Sequence, residues 1–387
     1  MPHDFDRVVD RLHTDSEKWR RHGDGVLPMW VADMDFRSPE PVIVALRERV
    51  EHGVFGYGDL DGELQAVIQE RLKALYDWDV ETKHILALPG LVSSFNLVAR
   101  AIGTTGDGVL LKTPAYFPFF QAIDGAGRAL NGTELSAVQN GETLHYEIDF
   151  DAFEAAITPR TRLFILCNPH NPVGRVYTRA ELERLAEICL RHDLVICSDE
   201  AHCDLILEGT HVPIATLAPE VAARCITLQA PSKTFNLPGL ACGFAVVQNP
   251  DLLTQLQAVA ERIVPHVNLM GYTGAVAAYR HGGDWLDALL PYLRANRDAL
   301  VDFVGENLPG IQTTCPQGTY LAWLDCRELD LPESPSDFFL NEARVALNDG
   351  AEFGQGGEGF VRLNFGCPRS TLVEGLERMR ATLDTLV

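Results

Sequence analysis

The chain has 387 residues, with 32 Lys+Arg against 54 Asp+Glu, a formal net charge of −22, and 46% apolar residues. That is one large domain or two, with ample material for a core; it is too apolar for disorder, and 32 Gly with 22 Pro exclude fibrous and low-complexity classes. The acidic balance and the lack of any Lys/Arg run argue against nucleic acid as a partner, and no run approaches the ~18 apolar residues of a membrane span.

The N-terminus, MPHDFDRVVDRLHTDSEKW, has no apolar stretch of the kind that directs export, so a cytoplasmic protein is expected. Residues 1–40 contain no clear sheet element. Segment 62–76 spaces Leu64, Val67, Ile68, Leu72 and Leu75 along one helix face. Segment 84–88 reads as a short strand, and PGLVSSFNLVARAI opens a helix near Gly90. Segments 108–112 and 162–167 read as buried strands, 178–192 as an amphipathic helix, and 194–198, 225–229 and 244–247 as further strands. Strands alternating with helices predict a mostly parallel sheet covered on both faces. Beyond about residue 280 the texture changes. A helix at 285–307, the segment GTYLAWLD, a helix at 336–346, a strand in GFVRLNFG and a C-terminal helix from Ser370 predict a smaller α+β domain. The chain is thereby divided into an N-terminal segment at 1–45 joining the smaller domain, a large domain at 46–280 and the smaller one at 281–387.

Nine cysteines are scattered without a C-x-x-C pair, which predicts neither a disulfide framework nor a metal site. GQGGEG at 354–359 matches the spacing of a dinucleotide loop, but it precedes a strand instead of following one and is set aside.

The informative feature is a set of polar residues placed just after predicted strands, the edge where open α/β sheets bind ligands. They are Gly90, Tyr116, Asn168, Asn171, Asp199 and the pair Ser232 and Lys233. Singly each has an ordinary reading: Asp199 as a helix cap, Asn171 as a turn residue before proline, Lys233 as a surface lysine. Together they put an ammonium, a carboxylate, an amide, a phenol and a helix N-terminus on one edge. A carboxylate after a buried strand holds a positive charge on a bound ring nitrogen. A lysine among small and apolar neighbours (QAPSKTFNLPGL) loses basicity by desolvation and forms a Schiff base. A helix beginning at Gly90 offers N–H groups to a phosphate. Pyridoxal 5'-phosphate presents all three handles, and a lysine with an aspartate partner at the pyridine nitrogen is the pattern this cofactor takes.

NPHNPVG at 168–174, SDEAH at 198–202 and SKTFNLPGL at 232–240, in that order, resemble the fold-type I pyridoxal-phosphate enzymes of the class I/II aminotransferase superfamily. LPMWVADMDF at 27–36 and GEGFVRLNFGCPR at 357–369 are similar, more narrowly, to its MalY/PatB branch, the cystathionine β-lyase-like C–S lyases. The resemblance implies an aspartate-aminotransferase-like α/β fold whose large domain holds a mostly parallel seven-stranded sheet. Carried over residue by residue, it implies that Lys233 binds the cofactor covalently and acts as base at the substrate Cα. Asp199 then pairs with the ring nitrogen, Asn171 hydrogen-bonds the phenolic oxygen and Tyr116 lies over the ring. The phosphate falls to Gly90, Leu91, Val92 and Ser232, with Tyr57 reaching the phosphate of a neighbouring subunit, which implies a homodimer with shared active sites. Arg362 clamps the substrate α-carboxylate, a pairing that the guanidinium fork suits. Asn171, Tyr116, Ala32, Trp30 and Asp33 join it around the substrate.

Two residues depart from the aminotransferase pattern. His202, still expected at the cofactor, stands where many aminotransferases have a tyrosine, and Ala241 and Cys242 stand where many carry a phosphate-binding arginine. Both departures are compatible with the lyase branch. The reaction so implied is α,β-elimination of L-cystathionine and related S-substituted cysteines to a thiol (homocysteine), pyruvate and ammonia. An aminotransferase and a non-catalytic regulatory protein that binds the cofactor are the alternatives.

Overall fold

The computed structural model describes residues 3–58, 62–141 and 143–386. The larger sheet has seven strands, in the spatial order Ile85–Leu88, Gly243–Val246, Cys225–Gln229, Val195–Asp199, Thr161–Cys167, Gly108–Thr113 and Ala129–Glu134. All run parallel except Gly243–Val246, which is antiparallel to both its neighbours. The inner strands read as near-continuous apolar runs because helices cover both faces. One face packs helices Leu91–Ala101, Pro118–Gly125 and Pro250–Ile263 through Phe95, Val98, Phe119 and Leu256. The other packs Glu63–Tyr76, Arg179–Arg191 and Leu269–His281 through Leu64, Ile68, Leu185 and Ala275. Thr178 starts Arg179–Arg191 with a reciprocal cap, its hydroxyl taking the Glu181 N–H while the Glu181 carboxylate takes the Thr178 N–H.

The second sheet has six strands, in the order Asn348–Asp349, Phe360–Asn364, Leu321–Asp325, Gln312–Thr314, Thr143–Glu147 and Ser136–Asn140. Helices Gly283–Asn307 and Arg369–Leu383 share its core through Leu300, Leu372 and Leu376. Leu27–Pro28 pairs in parallel with Val345–Ala346. Among the described residues no helix is long and apolar enough to cross a membrane.

The fold differs from the sequence expectations in four respects. Residues 27–28, read without a sheet element, form a strand. The helix expected at 336–346 is Pro335–Asn341: Arg344 turns into the left-handed region (φ 56°), and Val345–Ala346 leaves to pair with Leu27–Pro28. Leu75, counted on the buried face of its helix, is exposed in the last turn before Asp77. Strands Ala129–Glu134, Ser136–Asn140 and Thr143–Glu147 were not expected, because Ala129–Glu134 is largely exposed and all three are rich in polar residues.

Candidate active site

The parallel strands deliver their ends to one edge. Gly90 follows Ile85–Leu88, Tyr116 follows Gly108–Thr113, Asn171 follows Thr161–Cys167, Asp199 closes Val195–Asp199, and Lys233 follows Cys225–Gln229. The reversed strand begins at that edge, Gly243 opposite Leu88, so Ala241 and Cys242 arrive there as well. A cavity of about 320 Å³ lies at this edge. Its walls bring together Ala32, Gly90, Leu91, Val92, Tyr116, Asn171, Asp199, His202, Ser232 and Lys233.

Lys233 sits in a single helical turn, Pro231–Thr234, whose Thr234 hydroxyl donates to Asp204 (2.7 Å), itself paired with Arg71. The Lys233 Nζ donates to the Ala32 carbonyl at 2.6 Å, and the Tyr320 hydroxyl donates to the same oxygen at 2.8 Å. Desolvation pulls the Lys233 pKa down to about 8; Arg362 adds repulsion, while Asp33 and Asp199 oppose it.

Burial pushes the Asp199 carboxyl up to about 6 and neighbouring Glu200 adds to this, against the Ala201 N–H it accepts (3.1 Å) and the Lys233 charge. Glu200 points away into a buried cluster, accepting from Ser198 Oγ and Gln229 Nε2 (both 2.9 Å) and bonded to His211 Nε2 at 3.0 Å.

Arg362, on strand Phe360–Asn364, is 2% exposed. Its Nη1 donates to Asn171 Oδ1 (3.0 Å) and its Nη2 to Asn348 Oδ1 (2.6 Å) and the Trp30 carbonyl (3.1 Å), while Nε has no partner. All three acceptors are neutral and no carboxylate pairs with the guanidinium among the described residues; the Phe353 ring lies 4.9 Å from its Cζ, and desolvation lowers its pKa to about 10 against a weaker pull from Glu352. Burial and the Lys233 and Arg362 charges hold His202 neutral; its Nδ1 lacks a partner and its ring meets Tyr320 edge-on at 5.7 Å. Burial likewise raises the Tyr116 phenol.

Three of the expected site residues lie outside the cavity wall but adjoin it. Arg362 reaches it through Asn171, Trp30 holds Arg362 by its carbonyl, and Asp33 is turned to Arg11 Nη2 (2.6 Å). Tyr57 is apart from it, fully exposed at 108% in segment 53–58. Sequence reading passed over Tyr320, Asn348, Asn364 and Asn236. The first, third and fourth stand inside the quoted runs GTYLAWLD, GFVRLNFG and SKTFNLPGL, yet neither an apolar strand pattern nor a motif says which member turns to a ligand or to another segment.

The cradle at Gly90 explains the glycine. At φ 89° and ψ 163° it occupies a region closed to other residues, and it sets the first turn of Leu91–Ala101 with N–H groups that have no helical acceptor. A phosphate fits there, a pyridine nitrogen fits the buried Asp199, and an aldehyde fits the weakly basic Lys233; three buried atoms at or beside the cavity, Arg362 Nε, His202 Nδ1 and Asp33 Oδ1, have no hydrogen-bond partner in the protein. The residues fit pyridoxal phosphate. Among the described residues no group of three side chains could hold a metal ion.

The profile of the family "Aminotransferase class I and II" matches residues 26–379. The chain is 38% identical to cystathionine beta-lyase PatB of Bacillus subtilis, over 98% of this chain and 99% of that one. It is similar to the crystal structure of OvoB, with a TM-score of 0.93 and 41% identity over 98% of this chain and 99% of that one. Cystalysin of Treponema denticola, whose structure contains pyridoxal 5'-phosphate, superposes with a TM-score of 0.95 and 32% identity over 100% of both chains.

Proposed function

The chain belongs to the class I and II aminotransferase family, and we propose that it is a pyridoxal-phosphate-dependent carbon–sulfur β-lyase converting L-cystathionine and related S-substituted cysteines, with water, to a thiol, pyruvate and ammonia. The observation that carries this reading is the buried Arg362 guanidinium, paired with no carboxylate among the described residues, beside the cavity that Lys233 and Asp199 share, in a chain that matches a cystathionine β-lyase over 98% of its length.

When bound, pyridoxal phosphate supplies a carbonyl that captures the substrate amino group and a ring that accepts the electron pair left at Cα. Arg362 binds the α-carboxylate, exchanging a costly lone charge for a bidentate ion pair. Lys233 Nζ, with its pKa drawn to about 8, takes the Cα proton, and the Ala32 carbonyl accepts from the ammonium that results. Asp199 is ionised above about pH 6 and so holds a proton on the ring nitrogen. Asn171, already oriented by Arg362, meets the phenolic oxygen, and neutral His202 flanks the ring without adding a second charge. Leu91, Val92 and Ser232 hold the phosphate with neutral donors, because Ala241 and Cys242 bring no cation. Tyr116 covers the ring. Trp30, Ala32 and Asp33 border the substrate. A thiolate leaves Cβ readily, which favours elimination over amino transfer.

We assign the missing phosphate donor to Tyr57 of a second copy, and hence a homodimer with shared sites; the exposed apolar run of Val54, Phe55 and Tyr57 supports this. We retain the N-terminal segment (1–45), cofactor-holding part (46–280) and smaller part (281–387) with one exception, since strands Ser136–Asn140 and Thr143–Glu147 join the sheet of the smaller part. Nine free cysteines suit a reducing cytoplasm.

The deciding assay incubates the purified holoenzyme with L-cystathionine and no keto acid. Pyruvate and thiol should form in equal amounts, and Lys233→Ala should lose both this activity and the visible cofactor band. Strict dependence on 2-oxoglutarate would replace the lyase by an aminotransferase.

A further inference from the structure

Residues 30–34 form neither helix nor strand, yet five consecutive carbonyls each accept a side-chain donor. Trp30 O takes Arg362 Nη2 (3.1 Å), and Val31 O takes Asn364 Nδ2 (2.7 Å). Ala32 O takes Lys233 Nζ (2.6 Å) and the Tyr320 hydroxyl (2.8 Å). Asp33 O takes Asn364 Nδ2 (2.7 Å) and Lys18 Nζ (3.2 Å), and Met34 O takes Asn236 Nδ2 (2.8 Å) and Arg11 Nη1 (3.2 Å). An irregular segment so fully bonded is a built part and not a slack loop.

Two of these donors are the groups assigned to the substrate, and they come from different sheets. Arg362 stands on Phe360–Asn364 of the smaller one, and Lys233 follows Cys225–Gln229 of the larger one. The strap between them is pinned from both sides by asparagines. Asn364 Oδ1 accepts the Gly366 N–H (2.8 Å), so its amide nitrogen must face the Val31 and Asp33 carbonyls. Asn236 Oδ1 accepts the Met34 N–H (2.9 Å), and its Nδ2 binds the Met34 and Phe36 carbonyls (2.8 and 2.9 Å). Neither asparagine lines the cavity.

We propose that Asn364 and Asn236 are positioning residues that hold strap 30–34 as the spacer registering Arg362 against Lys233. The proposal rests on the substrate roles given to those two residues above. A loosened strap withdraws the Trp30 carbonyl from Arg362, which lets the guanidinium swing off the carboxylate position. It also withdraws the Ala32 carbonyl from Lys233, which disfavours the protonated amine. A purely structural role would lower thermal stability and leave both properties alone.

The test uses the holoenzyme of Asn364→Asp, a same-shape change that sets carboxylate oxygen against two carbonyl oxygens. Asn236→Gly is its counterpart in the turn after Pro231–Thr234, a change that keeps the left-handed backbone there (φ 56°). Binding of L-alanine, read as a perturbation of the visible cofactor band, should weaken about tenfold, the size of one hydrogen bond to a charged group. Cofactor affinity should stay within about twofold, and the acid limb of the kcat–pH profile should move to lower pH. If Asn364→Asp does not fold, Asn236→Gly decides. A folded variant with unchanged alanine binding and an unchanged acid limb overturns the proposal, whatever its melting temperature. Arg362→Leu, run alongside, separates the two readings: if it weakens alanine binding and the asparagine variants do not, only the strap assignment falls. If Arg362→Leu leaves alanine binding untouched, the site reading falls and takes the strap with it.

Discussion

Lys112 lies on inner strand Gly108–Thr113, 2% exposed, and its Nζ has no hydrogen-bond partner. The ammonium rests 3.9 Å from the Phe153 ring centre and 4.5 Å from that of Phe164, contacts that replace only part of its hydration. Desolvation lowers its pKa from 10.5 to about 7, with Cys189 and Glu181 opposing. The unfolded chain therefore binds more protons than the folded one between about pH 7 and 10.5, and stability rises with pH across that window. Below it both states carry the proton and the full penalty remains. Lys112→Met should stabilise the protein at pH 7 by roughly 1–4 kcal/mol, the range found when buried charges give way to apolar side chains. Urea unfolding at pH 7 and near pH 10 checks this: the advantage of the variant should shrink at the higher pH, and a constant difference would contradict it. The run GVLLK reveals a buried strand but not that its lysine is buried with it, because a strand pattern gives the face and not the partners. Lys233 and Asp199 were legible for the opposite reason, each being a chemically telling residue at a strand end. The strap contacts were not: Tyr320 and Ala32 are 288 positions apart, and no local spacing encodes that meeting.

Helix Leu91–Ala101 shows how one element makes half of a site. Its apolar face, through Phe95, Leu97 and Val98, locks it against the sheet, so the direction of its first turn is set by packing and by the glycine ahead of it. Gly90→Ala would force a side chain into a backbone region that costs about 1–3 kcal/mol for such a residue. The chain would relax by turning the first N–H groups away from the phosphate position. Affinity for pyridoxal phosphate should fall about tenfold or more, while pyridoxal, which lacks the phosphate, should bind almost as before. Equilibrium dialysis with both compounds reads the difference, and an equal loss for the two would assign Gly90 to general stability. Elements with a strong period or a cap, such as Arg179–Arg191 behind Thr178 and Glu181, were legible because local chemistry and packing agree there. The stretch 336–346 was not. Its apolar residues continue a helical spacing, but the backbone breaks at Arg344 so that Val345–Ala346 can pair with Leu27–Pro28, a partner invisible in the local sequence.

At the scale of the whole molecule, a formal charge of −22 keeps most of the surface hydrated, which makes an exposed apolar run conspicuous. Helix Glu40–His52 shows Val44 and Val50 to solvent, and beyond it Val54 and Phe55 are 61% and 58% exposed and Tyr57 wholly so. Among the described residues nothing covers that run, and no arginine lines the phosphate cradle. In a twofold dimer each Tyr57 would complete the other subunit's site, which predicts complementation between two damaged chains. A Lys233→Ala chain has no amine, and a Tyr57→Phe chain lacks the phosphate donor it lends. When the two are co-expressed with different tags, the mixed dimer holds one site with neither lesion: the one whose lysine belongs to the Tyr57→Phe chain and whose tyrosine belongs to the Lys233→Ala chain. Random pairing makes about half the dimers mixed, so activity at limiting cofactor should approach about a quarter of the unmutated value. Each parent alone should fall well below that. Activity no greater than the average of the parents would mean that Tyr57 serves its own chain or none, and the phosphate donor would have to be sought among residues already lining the cavity.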